Sequence, residues 1–154
     1  MRINARKAFV LGTWAVAGSV LLQFLLAGLG VFTNAEFLFW HAVVNASVIF
    51  FLPLLLVLIG WLGKVPGRLL WLTAAISGLT LLQSLLLTPY HMAASGPLRA
   101  ISGLHVVNAL LVFWVTFQLL ERTRAWRAAS SSGAAPTPRA ASEGIMSPSG
   151  GRTE

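Results

Sequence analysis

Four long apolar runs dominate the sequence and restrict its fold more than any other feature. They cover approximately residues 8–32, 37–62, 69–88 and 100–120. Each run can cross the hydrocarbon core of a bilayer as an α-helix, which takes about 20 residues. Backbone groups in hydrocarbon must bond to one another, and the runs are far longer than the roughly ten-residue strands of a membrane barrel. The pattern predicts an all-α membrane protein with four transmembrane helices.

Composition supports a membrane protein and excludes several kinds of site. The 154 residues are 56% hydrophobic and 10% charged, whereas charged residues make up about a quarter of ordinary soluble domains. The absence of cysteine excludes disulfides, thiolate metal sites, covalent c-type haem attachment and cysteine nucleophiles. No acidic residue lies within the apolar runs, which disfavours a proton or ion carrier. We expect a protein without hydrolytic activity and, if it is active at all, a membrane redox protein.

Basic residues mark one end of the predicted bundle. They occur in residues 1–7, in the turn at residues 63–68 and in residues 122–127. The two loops at the other end contain a single basic residue, Arg99, besides His91. Because basic loops stay in the cytoplasm, both termini are predicted to be cytoplasmic and the chain to lie in the cytoplasmic (inner) membrane. The net charge of +7 is therefore attributed to topology rather than to nucleic-acid binding.

The two ends of the chain need separate interpretation. Basic residues before an apolar run also occur in signal peptides, whose apolar region is usually about 7–15 residues. The first run is longer, so we interpret it as a retained helix, although Ala27-Gly28-Leu29 resembles a cleavage site. Residues 128–154 contain mostly small and polar residues and proline, which cannot bury enough surface to offset their ordering entropy. The predicted organisation is a transmembrane domain, residues 1–127, and a disordered tail.

The polar residues within the apolar runs repeat in the same order. The first and third runs contain LLQFLL and LLQSLL, and the second and fourth each contain a histidine closely followed by Val-Asn-Ala. The repeated residues are Gln23, His41 and Asn45, then Gln83, His105 and Asn108. Two copies running in the same direction predict parallel hairpins related by a pseudo-twofold axis along the membrane normal. Together they would form an antiparallel four-helix bundle.

The repeat predicts that His41 and His105 lie at similar depth and, if both face the axis, opposite each other. An ionisable residue within a membrane is by default a hypothesis for a functional site, and neutral imidazole is a good ligand for haem iron. We therefore interpret the pair as candidate axial ligands of a b-type haem. A neighbouring amide or backbone carbonyl would orient each ring, and the candidate residues beside the rings are Asn45, Asn108, Gln23 and Gln83. The alternative is a structural or accessory protein whose histidines only pack helices.

The same residues carry a resemblance to known families. QFLLAGLGVF, an early histidine in the second run, LLQSLL and LHVVNALLVF together resemble a family of small bacterial four-span membrane proteins of unknown function. The two-hairpin plan is also similar to one half of haem A synthase and, more loosely, to cytochrome b561-type bundles. The resemblance implies that His41 and His105 bind haem iron, for electron transfer or haem sensing. The lipid bilayer and a membrane redox partner or quinone are the expected partners.

Overall fold

The computed structural model describes residues 2–93 and 95–132, and these residues form helices without any strand. The elements are α1 (Arg2–Phe32), α2 (Glu36–Val44), a π-helical turn (Asn45–Ile49), α3 (Phe50–Leu62), α4 (Gly67–Leu86), α5 (Thr88–His91), α6 (Pro97–Ile101) and α7 (Leu104–Ser132). Four stretches are long and apolar enough to cross a membrane: Arg2–Phe32, Glu36–Leu62, Gly67–His91 and Pro97–Ser130. The predicted all-α fold with four membrane-spanning helices is confirmed.

The spans pack as a closed ring of neighbours. Helix α1 contacts α3, α3 contacts α4, α4 contacts α7, and α7 contacts α1 again. Short connections between consecutive spans make each neighbour antiparallel, as in an up-down-up-down bundle. The beginning of α1 and the end of α7 therefore lie at one end of the bundle, and the loops that precede α2 and α7 lie at the other.

Helix α7 extends beyond the last apolar run. It continues to Ser132, so residues 128–132, which were predicted to be disordered, are helical. Just before these residues, Thr123 is buried and Trp126 packs against the core. The other residues of the predicted tail lie outside the described part of the chain.

The interior combines a few large apolar side chains with hydroxyl groups. Phe9, Leu56, Ile76 and Leu119 are almost fully buried, while many leucines of the same helices are exposed on the outer surface. Buried threonines donate hydrogen bonds to carbonyls three or four residues earlier in their own helices, as in Thr13, Thr73, Thr80 and Thr116. Small and hydroxyl-bearing interfaces are typical of helices that associate within lipid.

The second span is irregular beside the bundle axis. The N–H of Phe50 donates to the carbonyl of Asn45, five residues earlier, which closes the π turn. Pro53 follows, and proline disturbs the preceding turn because it lacks an N–H and its ring crowds an upstream carbonyl. Ser77 of α4 donates to the carbonyl of Phe50 at 2.7 Å. A neighbouring helix thus satisfies a carbonyl at the irregular turn, as membrane interiors require.

Candidate functional site

The two histidines of the repeat meet inside the bundle. His41 lies in α2 and His105 in the first turn of α7, at the end opposite the termini. Their ring centroids are 6.4 Å apart and their planes are inclined by 58°. The fold therefore brings together two residues that are far apart in sequence and equivalent in the repeat.

Both imidazoles are anchored in the same way. Nδ1 of His41 lies 3.1 Å from the backbone carbonyl oxygen of Gln23, and Nδ1 of His105 lies 3.3 Å from that of Gln83. A carbonyl oxygen only accepts, so each Nδ1 carries the proton and donates it. In a neutral ring held in this way the lone pair lies on Nε2, the nitrogen that a metal would take.

In the second hairpin, amide groups form a hydrogen-bond network around His105. Asn108 is buried and its Nδ2 donates to the carbonyl of Leu79 at 2.9 Å and to Oε1 of Gln83. Nε2 of Gln83 in turn donates to Nε2 of His105 at 3.1 Å. Gln83 therefore contacts both ring nitrogens, one through its backbone and the other through its side chain.

The first hairpin has no equivalent network. The side chain of Gln23 is buried, yet its Oε1 has no hydrogen-bond partner among the described residues. Asn45 is only half-buried. Within residues 2–93 and 95–132, the hydrogen bond of the His41 ring is the one made by its Nδ1. Each half of the site thus keeps one buried amide oxygen without a partner in the described chain, Oε1 of Gln23 in the first hairpin and Oδ1 of Asn108 in the second.

A cavity of about 190 Å³ lies between the spans at the level of the histidines. Its polar lining consists of Gln23, His41, Asn45, Gln83 and His105, and its apolar lining consists of Val20, Phe24, Ala27, Ile49, Val106, Ala109 and Val112. Asn108 is the one predicted site residue that is not part of this lining, because it lies behind Gln83. Pockets for drug-sized ligands usually measure about 300–1,000 Å³, so a porphyrin requires the surrounding side chains to move.

The two imidazoles are spaced as two ligands of a single metal ion would be. Imidazoles bound to opposite sides of a metal, each through a bond of about 2 Å, have ring centroids about 6 Å apart, close to the spacing of His41 and His105. No group of three or more potential metal-binding His, Asp or Glu side chains occurs in the described part of the chain. The iron of a porphyrin needs only two further ligands, whereas the zinc ion of a structural site needs four. Coordination by His105 also requires the Gln83 amide to leave Nε2.

Sequence reasoning assigned the glutamines a role through their side chains. In the structure the backbone carbonyls of Gln23 and Gln83 make the contact that both halves share. The repeated LLQ motif identified the right position, but a motif cannot show whether a backbone or side-chain group is used.

Comparisons with known proteins give a partial family match and no activity. The chain matches a family of unknown function, DUF6220, over residues 23–89. The DUF6220 match and the four long apolar helices fit a small four-span membrane protein of unknown function. The matched range contains Gln23, His41, Asn45 and Gln83 but ends before His105. No curated protein and no solved structure matches the chain. The likeness to haem A synthase and cytochrome b561-type bundles therefore stays a prediction.

Proposed function

We propose that this membrane protein binds one b-type haem between His41 and His105 and serves electron transfer or haem sensing. The observation that carries the proposal is the pair of imidazoles, 6.4 Å apart, each held by an Nδ1–H bond to a carbonyl. Carbonyl-bound Nδ1 groups are the usual way in which proteins orient metal-ligating histidines. The apolar remainder of the cavity lining suits a largely hydrophobic macrocycle.

The residues of the chain would have distinct roles. The carbonyls of Gln23 and Gln83 would hold the rings with a proton on Nδ1, which places the lone pair of a neutral ring on Nε2, while the apolar lining excludes water. When bound, a b-type haem supplies a one-electron couple whose potential depends on its axial ligands and on burial. Gln23 and Asn45 offer polar groups beside the cavity, and a quinone or another membrane redox protein is the proposed electron partner.

An absorbance spectrum of the detergent-purified full chain tests haem binding. We expect a Soret band after expression with adequate haem supply, and sharper visible bands after reduction with dithionite. His41→Ala and His105→Ala should each abolish or shift these bands. His91→Ala is the matched control, because this exposed histidine lies outside the cavity. A spectrum without a Soret band, or one unchanged in both His41→Ala and His105→Ala, would refute the proposal.

The second candidate is a structural or accessory protein whose histidines only pack helices. The contact between the Gln83 amide and Nε2 of His105 favours it, because this bond uses the nitrogen that iron would need. His41 and His105 would then contribute to stability alone, by joining consecutive spans. Absence of haem together with lower thermal stability of both histidine variants would support this candidate.

For topology, the proposal is that both termini face the cytoplasm and that the chain lies in the cytoplasmic membrane. The proposal is supported by the basic residues Arg6, Lys64 and Arg127, which occur in three separate segments at one end of the bundle. Basic segments favour the cytoplasmic side of a membrane. Because the chain has no cysteine, Ser95→Cys and Ala129→Cys give clean reporters. A membrane-impermeant thiol reagent applied to intact cells should label the first variant and not the second. Reversed labelling would reverse the topology.

A further inference from the structure

A second cavity lies at the end of the bundle that contains the termini. It lies between the first part of α1 and the last part of α7 and has a volume of about 260 Å³. We call it the basic groove, and its lining residues are Arg6, Lys7, Val10, Leu11, Trp126, Arg127 and Ser130. The groove combines cationic side chains with an apolar wall, and the haem proposal uses none of its residues.

Arg6 is held in a defined position at the groove. Its Nε donates to the backbone carbonyl of Gly63 at 2.9 Å, and its guanidinium carbon lies 5.7 Å from the ring centre of Trp126. These contacts order the side chain without neutralising its charge, because neither partner is an anion. A guanidinium positioned in advance binds an oxyanion at a lower entropy cost than a freely rotating one.

Charge at this end of the bundle is strongly one-sided. Besides the groove residues, the same end contains Arg2, Lys64, Arg68, Arg122 and Arg124. Glu121 is the single acidic residue at this end within the described part of the chain, and it pairs with Arg124 at 3.6 Å. The potential in the groove is therefore positive, which favours an anionic occupant.

The apolar wall indicates what is attached to the anion. Val10 is buried, but Leu11 is 70% exposed and continues the lipid-facing surface of α1. A ligand with a phosphate head at Arg6, Lys7 and Arg127 would leave its hydrocarbon part against Leu11. Basic pockets between transmembrane helices are recognised sites for anionic lipid heads. We infer that the basic groove binds an anionic phospholipid through its phosphate group.

Native mass spectrometry of the full chain in neutral detergent tests this inference. The probes are phosphatidylglycerol and phosphatidylcholine with identical acyl chains, and glycerol phosphate without acyl chains. We expect one phosphatidylglycerol adduct that survives desolvation, with much weaker retention of phosphatidylcholine and no retention of glycerol phosphate. Lys7→Gln and Arg127→Gln should each weaken phosphatidylglycerol binding by about fivefold.

Arg68→Gln is the matched control, because it removes one charge from the same end of the bundle but outside the groove. It should retain the binding of the unaltered chain, and circular dichroism should show all three variants equally helical. Equal binding of both phospholipids, retention of glycerol phosphate alone, or equal losses in Arg68→Gln and Lys7→Gln would overturn the inference. A dimer without lipid that disappears in Lys7→Gln would instead assign the groove to a second copy of the chain.

Discussion

The two helical hairpins hold their histidines by the same kind of hydrogen bond but differ in the hydrogen bonds around the ring. In each hairpin, the histidine donates from Nδ1 to the carbonyl of the repeated glutamine. In the second hairpin, Asn108 and the Gln83 amide add a hydrogen-bond network around His105, in which Oδ1 of Asn108 has no partner among the described residues. In the first hairpin, Oε1 of Gln23 is buried without a partner in the described chain. The repeat thus preserves the anchoring of the imidazoles, while the amide network around the ring is present in the second hairpin alone among the described residues.

A one-residue difference in spacing explains this asymmetry. Asn108 is three residues after His105, whereas Asn45 is four residues after His41. One residue turns a side chain by about 100° around an α-helix, so Asn45 cannot occupy the position equivalent to that of Asn108. The irregularity is confined to the π turn that begins at Asn45. Such turns often occur at functional sites, and this one borders the cavity between the histidines.

Replacing the two asparagines should give the largest difference in stability between the two hairpins. Asn108→Ala removes the amide that donates hydrogen bonds to the Leu79 carbonyl and to Oε1 of Gln83. We expect a loss of about 1–3 kcal/mol in the free energy of unfolding. Asn45→Ala, the matched variant, should cost less than about 0.5 kcal/mol, because Asn45 is half-buried and makes no equivalent contact. Unfolding in mixed detergent micelles measures both values, and equal losses would contradict the asymmetry.

Replacing the two glutamines should change the free energy of unfolding less than replacing the asparagines. Only the replacement in the second hairpin should lower it. Gln83→Leu leaves Asn108 without its side-chain acceptor and should cost about 1 kcal/mol. Gln23→Leu removes a buried oxygen that has no partner and should be neutral or slightly stabilising. Neither change touches the backbone carbonyl that holds each histidine.

The same glutamine variants connect stability to the proposed haem site. In Gln83→Leu, Nε2 of His105 loses its amide partner, so haem titration should show binding tightened by about threefold to fivefold. Gln23→Leu serves as the control and should leave the haem affinity within about twofold. Weaker binding in Gln83→Leu would show that the amide supports the ligand rather than competing with it.

The sequence was sufficient to predict the membrane fold, because each apolar run is long and its solution in lipid is restricted to a helix. The repeat of glutamine, histidine and asparagine also identified the residues that gather on one level of the bundle. The π turn was not predictable from the sequence, because residue propensities do not distinguish a π turn from an α-turn over Asn45–Ile49. Nor was the helical extension to Ser132, along which Trp126 packs against the core and lies beside the Arg6 guanidinium of α1.

Serine replacements test whether the irregular turn depends on its neighbour helix. Ser77→Ala removes the donor to the Phe50 carbonyl and should cost about 0.6 kcal/mol, the typical value of a hydrogen bond between membrane helices. Ser47→Ala is the control, because its hydroxyl is exposed and donates within its own helix, to Val43. Unfolding in mixed micelles should separate the two variants, and hydrogen exchange at Phe50 should quicken only in Ser77→Ala. If both serines prove equally dispensable, the π turn is maintained by Pro53 and the local sequence, and the difference between the hairpins originates within the second span itself.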